Sequence, residues 1–281
     1  MIIWLASYPK SGSTWIRSLI SSYYFSKNKF SLLNLKKIPY FSVGDFINNR
    51  HLLKNNLNVA EQWLNVQDHI NKDRKKTLLF KTHNAAISVN KNLFTDSNYT
   101  AGCIYIVRDP RNIITSYKNF EKISYEKVLK HMTNDEAFLF AGKNFENKFG
   151  FRGYEPIGSW SGHYKSWVHN KLGIPICLIK YEDLIEDTLK ELEKMIKFIA
   201  RIQKVENFIF DNKKGCKAVN QCSFQSLSKL ETEDGFAEAR EGRKFFKLGE
   251  KNNYKKILPT NIKRVLEGSF SKEMYELNYF F

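Results

Sequence analysis

The sequence predicts an α/β fold, a single domain over residues 1–281 with a central parallel β-sheet flanked by helices. Three observations carry that expectation. Four short apolar runs are β-branched and continuous rather than alternating, as in strands buried on both faces. Helical periodicity falls between and after them, the order that builds a parallel sheet covered on both sides. The first run leads through a tight glycine-containing loop straight into a helix, which makes a cradle for an anion.

Taken in order, the first strand spans residues 2–6, and the helix after its loop repeats apolar residues at Trp15, Ile16, Leu19, Ile20, Tyr23 and Tyr24. A helix is expected over 61–70, and the second strand over 77–80. The third strand, 103–107, feeds a helix over 111–120, with Asp109 before its start and Pro110 just inside it as a capped N-terminus. A helix over 159–170 is stopped by Gly173, and the fourth strand covers 176–179. Residues 185–199 form the strongest amphipathic helix, with Ile185, Leu189, Leu192, Met195, Ile196 and Ile199 on one face. After Pro259, Ile262, Val265, Leu266, Phe270, Met274 and Leu277 make another such face. No repeat, linker or low-complexity block interrupts the chain.

A chain of 281 residues buries a substantial core, and 42% hydrophobic with 15% aromatic residues places it among globular proteins. No apolar run approaches the length of a membrane span. The first strand lacks a basic n-region, so no signal peptide is expected. Cys103, Cys177, Cys216 and Cys222 have no zinc-like spacing and read as reduced thiols of a cytoplasmic protein. The net charge of +16 raises the question of nucleic acid. Its lysines, however, are scattered along the chain, without an arginine-rich arm, zinc finger or helix-turn-helix pattern. A solvated basic surface is the expectation, with no nucleic-acid partner.

The loop Tyr8-Pro9-Lys10-Ser11-Gly12-Ser13-Thr14-Trp15 holds the densest chemistry. Helix-start N–H groups lack intrahelical partners and carry the positive end of the dipole. Lys10 adds a mobile charge, and the Ser13 and Thr14 hydroxyls add donors, so a phosphate or sulfate fits there. The loop is not a Walker A, which needs Lys directly after its second Gly; here Lys10 precedes Gly12 by two residues. Each later strand also ends in polar groups: Lys81 and His83, then Arg108, then Lys180-Tyr181-Glu182. Open parallel sheets bind ligands outside the carboxyl ends of their strands, so these groups converge on one edge.

The segment Pro9–Trp15 resembles the loop by which sulfotransferases dependent on 3′-phosphoadenosine 5′-phosphosulfate (PAPS) grip the donor's 5′-phosphosulfate. Lys81-Thr82-His83 is similar to the K-T-H of that family, in which the His is the general base; a neutral imidazole suits proton removal near pH 7. The other histidines (His51, His69, His131, His163 and His169) form no metal-ligand cluster and have no comparable setting in sequence. The run from Tyr105 to Tyr117 resembles V-R-D-P-R-x-x-x-x-S-Y, which implies that Arg108 and Ser116 hold the 3′-phosphate. Tyr181-Glu182-Asp183-Leu184 is similar to the family's Y-E-D-L, with Tyr181 on the nucleotide. Cys222-Ser223-Phe224-Gln225-Ser226-Leu227 resembles the segment lining adenine and ribose, with Phe224 able to stack on the base.

The run from Phe245 to Lys255 resembles the family's F-x-R-K-G-x-x-G-x-W-K loop, with departures. Lys247 replaces the Arg, Leu248 the Lys, Asn252 the second Gly and Tyr254 the Trp. The resemblance implies donor-binding roles for Phe245, Lys247 and Gly249, with Arg243 or Lys251 as other basic candidates. Lys offers a point charge where Arg offers a bidentate fork.

The resemblance thus implies a sulfotransferase of the P-loop, nucleotide-kinase-like sulfotransferase fold, using PAPS and releasing adenosine 3′,5′-bisphosphate (PAP). His83 would be its base, Lys10 and the loop would act on the leaving phosphate with Lys81 and Thr14 assisting, and no metal is implied. The acceptor is a small-molecule, lipid or carbohydrate hydroxyl or amine. Residues 37–56, 118–158 and 231–246 would shape its pocket, with aromatics Phe41, Phe46, Phe120, Phe138, Phe140 and Tyr154. A P-loop ATP- or GTP-dependent kinase of a small molecule is the alternative. A kinase calls for Lys beside the second Gly and an acidic magnesium ligand at a strand end.

Overall fold

The computed structural model describes residues 1–47, 56–72, 76–140, 154–239, 244–246, 249 and 252–280. Its strands are β1 (Ile2–Ala6), β2 (Leu78–Thr82), β3 (Ser88–Val89), β4 (Asn92–Leu93), β5 (Thr100–Val107), β6 (Phe138–Phe140), β7 (Tyr154–Pro156) and β8 (Ile176–Lys180). Helices α1 (Ser13–Phe25), α2 (Asn56–Glu61), α3 (Trp63–Ile70), α4 (Pro110–Glu121) and α5 (Tyr125–Met132) belong to the first half. Then come α6 (Trp160–Val168), α7 (Tyr181–Glu186), α8 (Thr188–Ile202), α9 (Asn212–Gln221) and α10 (Phe224–Asp234). The chain ends in α11 (Tyr254–Ile257), α12 (Thr260–Ser269) and α13 (Ser271–Glu276).

The four expected strands form one parallel sheet in the order β2-β1-β5-β8. Register aligns their carboxyl ends: Ala6 stands opposite Thr82 and Tyr105, and Val107 opposite Lys180. Alternation does the rest, since successive side chains leave a strand on opposite faces. Ile2, Trp4 and Ala6 enter one core with Cys103, Tyr105 and Val107, while Ile3 and Leu5 enter the other with Ile104 and Ile106. The first core is closed by α4, α6, α12 and α13, through Ile113, Trp160, Trp167, Leu266 and Met274. The second is closed by α1 and α8, through Ile16, Leu19, Ile20, Leu192, Met195 and Ile196. Truncating one of these fully buried side chains, as in Ile104→Ala, costs about 2–5 kcal/mol.

Three expected helices end differently. The stretch 61–70 lies partly in α2 and otherwise in α3, which starts after Gln62. The helix drawn over 185–199 begins at Thr188, because the Asp187 side chain caps it by accepting the Lys190 N–H. Ile185 therefore sits in the separate short α7, 52% exposed rather than on the buried face. After Pro259 the helix breaks at Phe270, and Val265 is 47% exposed while its expected companions are buried. The hairpins β3–β4 and β6–β7 were not expected from sequence; their two- and three-residue strands are too short to show a period.

Candidate functional site

The loop after β1 turns on two left-handed residues, Lys10 (φ 70) and Gly12 (φ 105). A Cβ on Gly12 would stand 2.6 Å from the Tyr181 ring, so only glycine lets the loop lie against α7. Helix α1 starts at Ser13 with no acidic side chain in its first turn. The Ser11 hydroxyl is buried without a hydrogen-bond partner, and so is Arg108 Nε. Arg108 stacks its guanidinium 4.0 Å from the centre of the Tyr181 ring and donates through Nη1 to the Lys10 carbonyl at 3.2 Å. A buried donor left unmatched beside a loop of helix-start amides, as Arg108 Nε is, suits an anion.

A cavity of about 470 Å³ opens at this edge of the sheet. Lys10, Gly12, Ser13, Thr14, Trp15, Lys81, His83, Arg108, Ser116 and Tyr181 all line it, as do Ser223, Phe224, Leu227, Phe245 and Gly249. The side chains that the sequence distributed over four strand ends and a distant C-terminal segment thus share one space. Ser11 and Cys222 stand behind its wall. Cys222 is fully buried in the core, and its carbonyl accepts the Trp15 indole N–H at 2.9 Å. Lys247, Arg243 and Lys251 lie outside the described residues. So do His51 and part of each of the 37–56, 118–158 and 231–246 stretches.

His83 leaves the end of β2 and donates through Nδ1–H to the Ser7 carbonyl at 2.8 Å. Burial, and then the Lys81 ammonium, hold its imidazolium well below the usual histidine range. The irregular stretch after it is held group by group. Trp167 Nε1 donates to the Asn84 carbonyl at 2.9 Å, Ala85 N–H to the Pro156 carbonyl at 2.8 Å, and Ala86 N–H to Ser166 Oγ at 3.0 Å. His163 completes the set from behind the cavity wall, fully buried. Its Nε2 bonds the His83 carbonyl at 3.1 Å, and Tyr105 Oη bonds its Nδ1 at 2.8 Å. Full burial lowers its pKa to about 4.

Lys10 and Lys81 are both engaged. The Lys10 ammonium stacks 3.7 Å from the Phe120 ring centre and 4.7 Å from that of Phe245. Lys81 Nζ lies 2.8 Å from Glu238 and 3.4 Å from Thr14 Oγ1. Asp109, the acidic residue at a strand end, caps α4 and pairs with Arg111, which also bonds Glu267. It is committed to structure. Glu182 accepts the Asp109 N–H and the Tyr279 hydroxyl, both at 3.1 Å, so it fastens α7 to α4 and the C-terminus.

The departures in the C-terminal loop have structural partners. Asn252 accepts from Thr115 Oγ1 at 2.7 Å and donates to the Asn112 carbonyl at 2.9 Å, which pins the segment to α4. The Arg111 guanidinium lies 4.3 Å from the Tyr254 ring centre. A Cβ on Gly249 would meet the Phe224 ring at 2.8 Å, so this glycine permits close packing on that aromatic.

Tyr40, Glu155 and Glu238 also line the cavity, one from each stretch expected to shape the acceptor pocket, although sequence reasoning singled out none of the three. Tyr40 pairs with Lys81 through a parallel backbone bridge and donates its hydroxyl to Glu155 at 2.5 Å. Isolated tyrosines and glutamates carry no local pattern; only tertiary pairing brings them here.

Fold and site together define the class: a P-loop-like α/β protein with an anion loop and a neutral histidine at one sheet edge. The chain belongs to the sulfotransferase domain family, whose model matches residues 2–278. It is 29% identical to rat Sulfotransferase 1E1 over 79% of this chain and 64% of that one, and 22% identical to Cytosolic sulfotransferase 6 of Arabidopsis thaliana over 94% and 75%. The match thus spans a little under two thirds of the rat relative's length. Mouse sulfotransferase SULT7A1 complexed with PAP superposes with a TM-score of 0.59 at 16% identity, covering 98% of this chain and 84% of that one. Retinol dehydratase in a complex with retinol and PAP gives 0.56 at 13% identity, over 97% and 81%. No helix among the described residues is long and apolar enough to cross a membrane.

Proposed function

We propose that the protein is a sulfotransferase that moves a sulfuryl group from PAPS to a hydroxyl or amine of a small-molecule acceptor in the cytoplasm. One observation carries the reading: Lys10, His83, Arg108 and Ser116 line a single cavity, with the His83 tautomer set by Ser7. When bound there, PAPS supplies the sulfuryl group and a phosphate able to leave with its charge.

Every other requirement falls to the chain's own residues. A carbonyl only accepts, so the bond to Ser7 keeps the proton on Nδ1 and makes Nε2 the basic nitrogen. Nε2 takes the proton from the acceptor hydroxyl. Loop amides, Thr14 and Lys10 hold the 5′ end and meet the negative charge that grows there, a task of preorganised electrostatics. Arg108 and Ser116 hold the 3′-phosphate, and the Phe224 face supports the base. The aromatic wall of Tyr40, Tyr117 and Phe120 favours an acceptor with an apolar body. The structural neighbour bound to retinol and PAP supports that preference. The kinase alternative is disfavoured by the engagement of Asp109 as a cap and ion-pair partner.

The test is transfer from ³⁵S-labelled PAPS to a panel of phenols, aliphatic alcohols, amines and glycosides. Label appearing in an acceptor with stoichiometric PAP supports the assignment. Labelled sulfate released only to water, at equal rates with every acceptor present, contradicts it.

A further inference from the structure

Glu238 places a carboxylate against the donor end of the cavity. It lies in a turn closed by the Ala239 N–H on the Phe236 carbonyl at 3.0 Å. The Phe236 ring packs on Phe245 and Phe246, with centroids at 5.0 and 5.6 Å. One Glu238 oxygen accepts from the Arg17 guanidinium, and the other from Lys81 Nζ at 2.8 Å. Arg17 is itself fixed by the carbonyls of Ile38 and Leu35, at 2.6 and 2.8 Å. Lys81 reaches Thr14 Oγ1 on the first turn of α1. The side chains of Arg17, Lys81 and Glu238 are only 6%, 4% and 13% exposed, so solvent and salt screen this charge weakly.

We propose that Glu238 is a specificity-determining residue: an internal counter-anion that weakens the site's hold on the doubly charged 5′-phosphate of the product. The proposal rests on the donor reading given above. A terminal phosphate carries about −1.5 to −2 charges at pH 7. The phosphoryl group of a phosphosulfate anhydride carries a single charge, because its other oxygen is bonded to sulfur. The donor's second 5′ charge sits on the sulfuryl group instead, so a fixed carboxylate one ammonium away opposes the second charge that transfer leaves on the 5′-phosphate itself, and it competes with the product for Lys81. Product departure is eased, while the nucleotide contacts at Arg108 and Phe224 are untouched. If Glu238 served only to hold Arg17 and its own turn in place, its removal would lower stability without tightening anion binding.

The experiment is calorimetry of Glu238→Gln against wild type with two probes, PAP and adenosine 3′-monophosphate, which lacks the 5′ group. We expect PAP to bind about tenfold or more tightly in the variant while adenosine 3′-monophosphate changes less than about twofold. Unchanged or weaker PAP binding in the folded variant, or equal tightening of both probes, overturns the proposal. Should Glu238→Gln not fold, Glu238→Asp draws the charge back by one methylene. A gain of about two- to threefold for PAP alone then supports the proposal, and no gain overturns it. Wild-type protein that binds no PAP refutes the donor reading and this inference together. Wild-type binding with no gain in the variants refutes this inference alone.

Discussion

The imidazole of His83 and the backbone carbonyl of Ser7 are joined by a 2.8 Å hydrogen bond across the ends of β1 and β2. Strand register creates it, since Ala6 pairs with Thr82 and the next residues face each other. That bond fixes which nitrogen is the base. His83→Ala should therefore lower transfer by roughly 10²- to 10⁴-fold. PAP affinity by calorimetry should stay within about threefold, because the donor contacts come from other side chains. Turnover comparable to wild type would remove His83 from its role.

The pH dependence follows from the same setting. Burial and the Lys81 ammonium depress the His83 pKa, so the imidazole stays neutral, and competent as a base, below the usual histidine range. The acid limb of kcat/KM should lie below pH ~6.5, the ordinary histidine value, with a flat region above it. An acid limb above that value would show that another group titrates.

Arg108 carries a buried, unmatched Nε beside the loop. Replacing it with alanine should weaken PAP binding by roughly 10- to 100-fold, the weight of a charge-assisted hydrogen bond. Adenosine 5′-phosphate, which lacks the 3′ group, should lose far less. Equal losses for both ligands would place Arg108 elsewhere on the nucleotide.

His163 gives the fold its own pH dependence. Its folded pKa, about 4, lies below the ordinary value of about 6.5, so the unfolded chain binds the proton more readily. The stability this group contributes is present above pH ~6.5 and is lost as pH falls toward 4, roughly 3 kcal/mol in all. Urea unfolding at pH 7 and 4.5 measures it. His163→Asn should flatten that difference, and an unchanged pH slope would contradict the assignment.

Much of this was legible in the chain, and the reason is local. Residues 2–6 and 103–107 are continuous apolar runs, so strand identity and the edge carrying Lys10, His83 and Arg108 followed directly. Boundaries were less legible because capping overrides periodicity: Asp187 starts a helix two residues into an unbroken amphipathic pattern. Tyr40, Glu155, Glu238 and His163 were illegible for another reason. Each reaches the site through a long-range hydrogen bond, to residues 115, 157 and 80 positions away for Tyr40, Glu238 and His163, and nothing in their neighbours announces it.

The central claim is a pocket shaped for a nucleotide phosphorylated at both the 3′ and 5′ positions. Calorimetric titration of the wild-type protein with PAP and with Mg-ATP tests it most directly. The account predicts that PAP binds at least about tenfold more tightly than Mg-ATP. Tighter binding of Mg-ATP would contradict it and point to phosphoryl transfer instead.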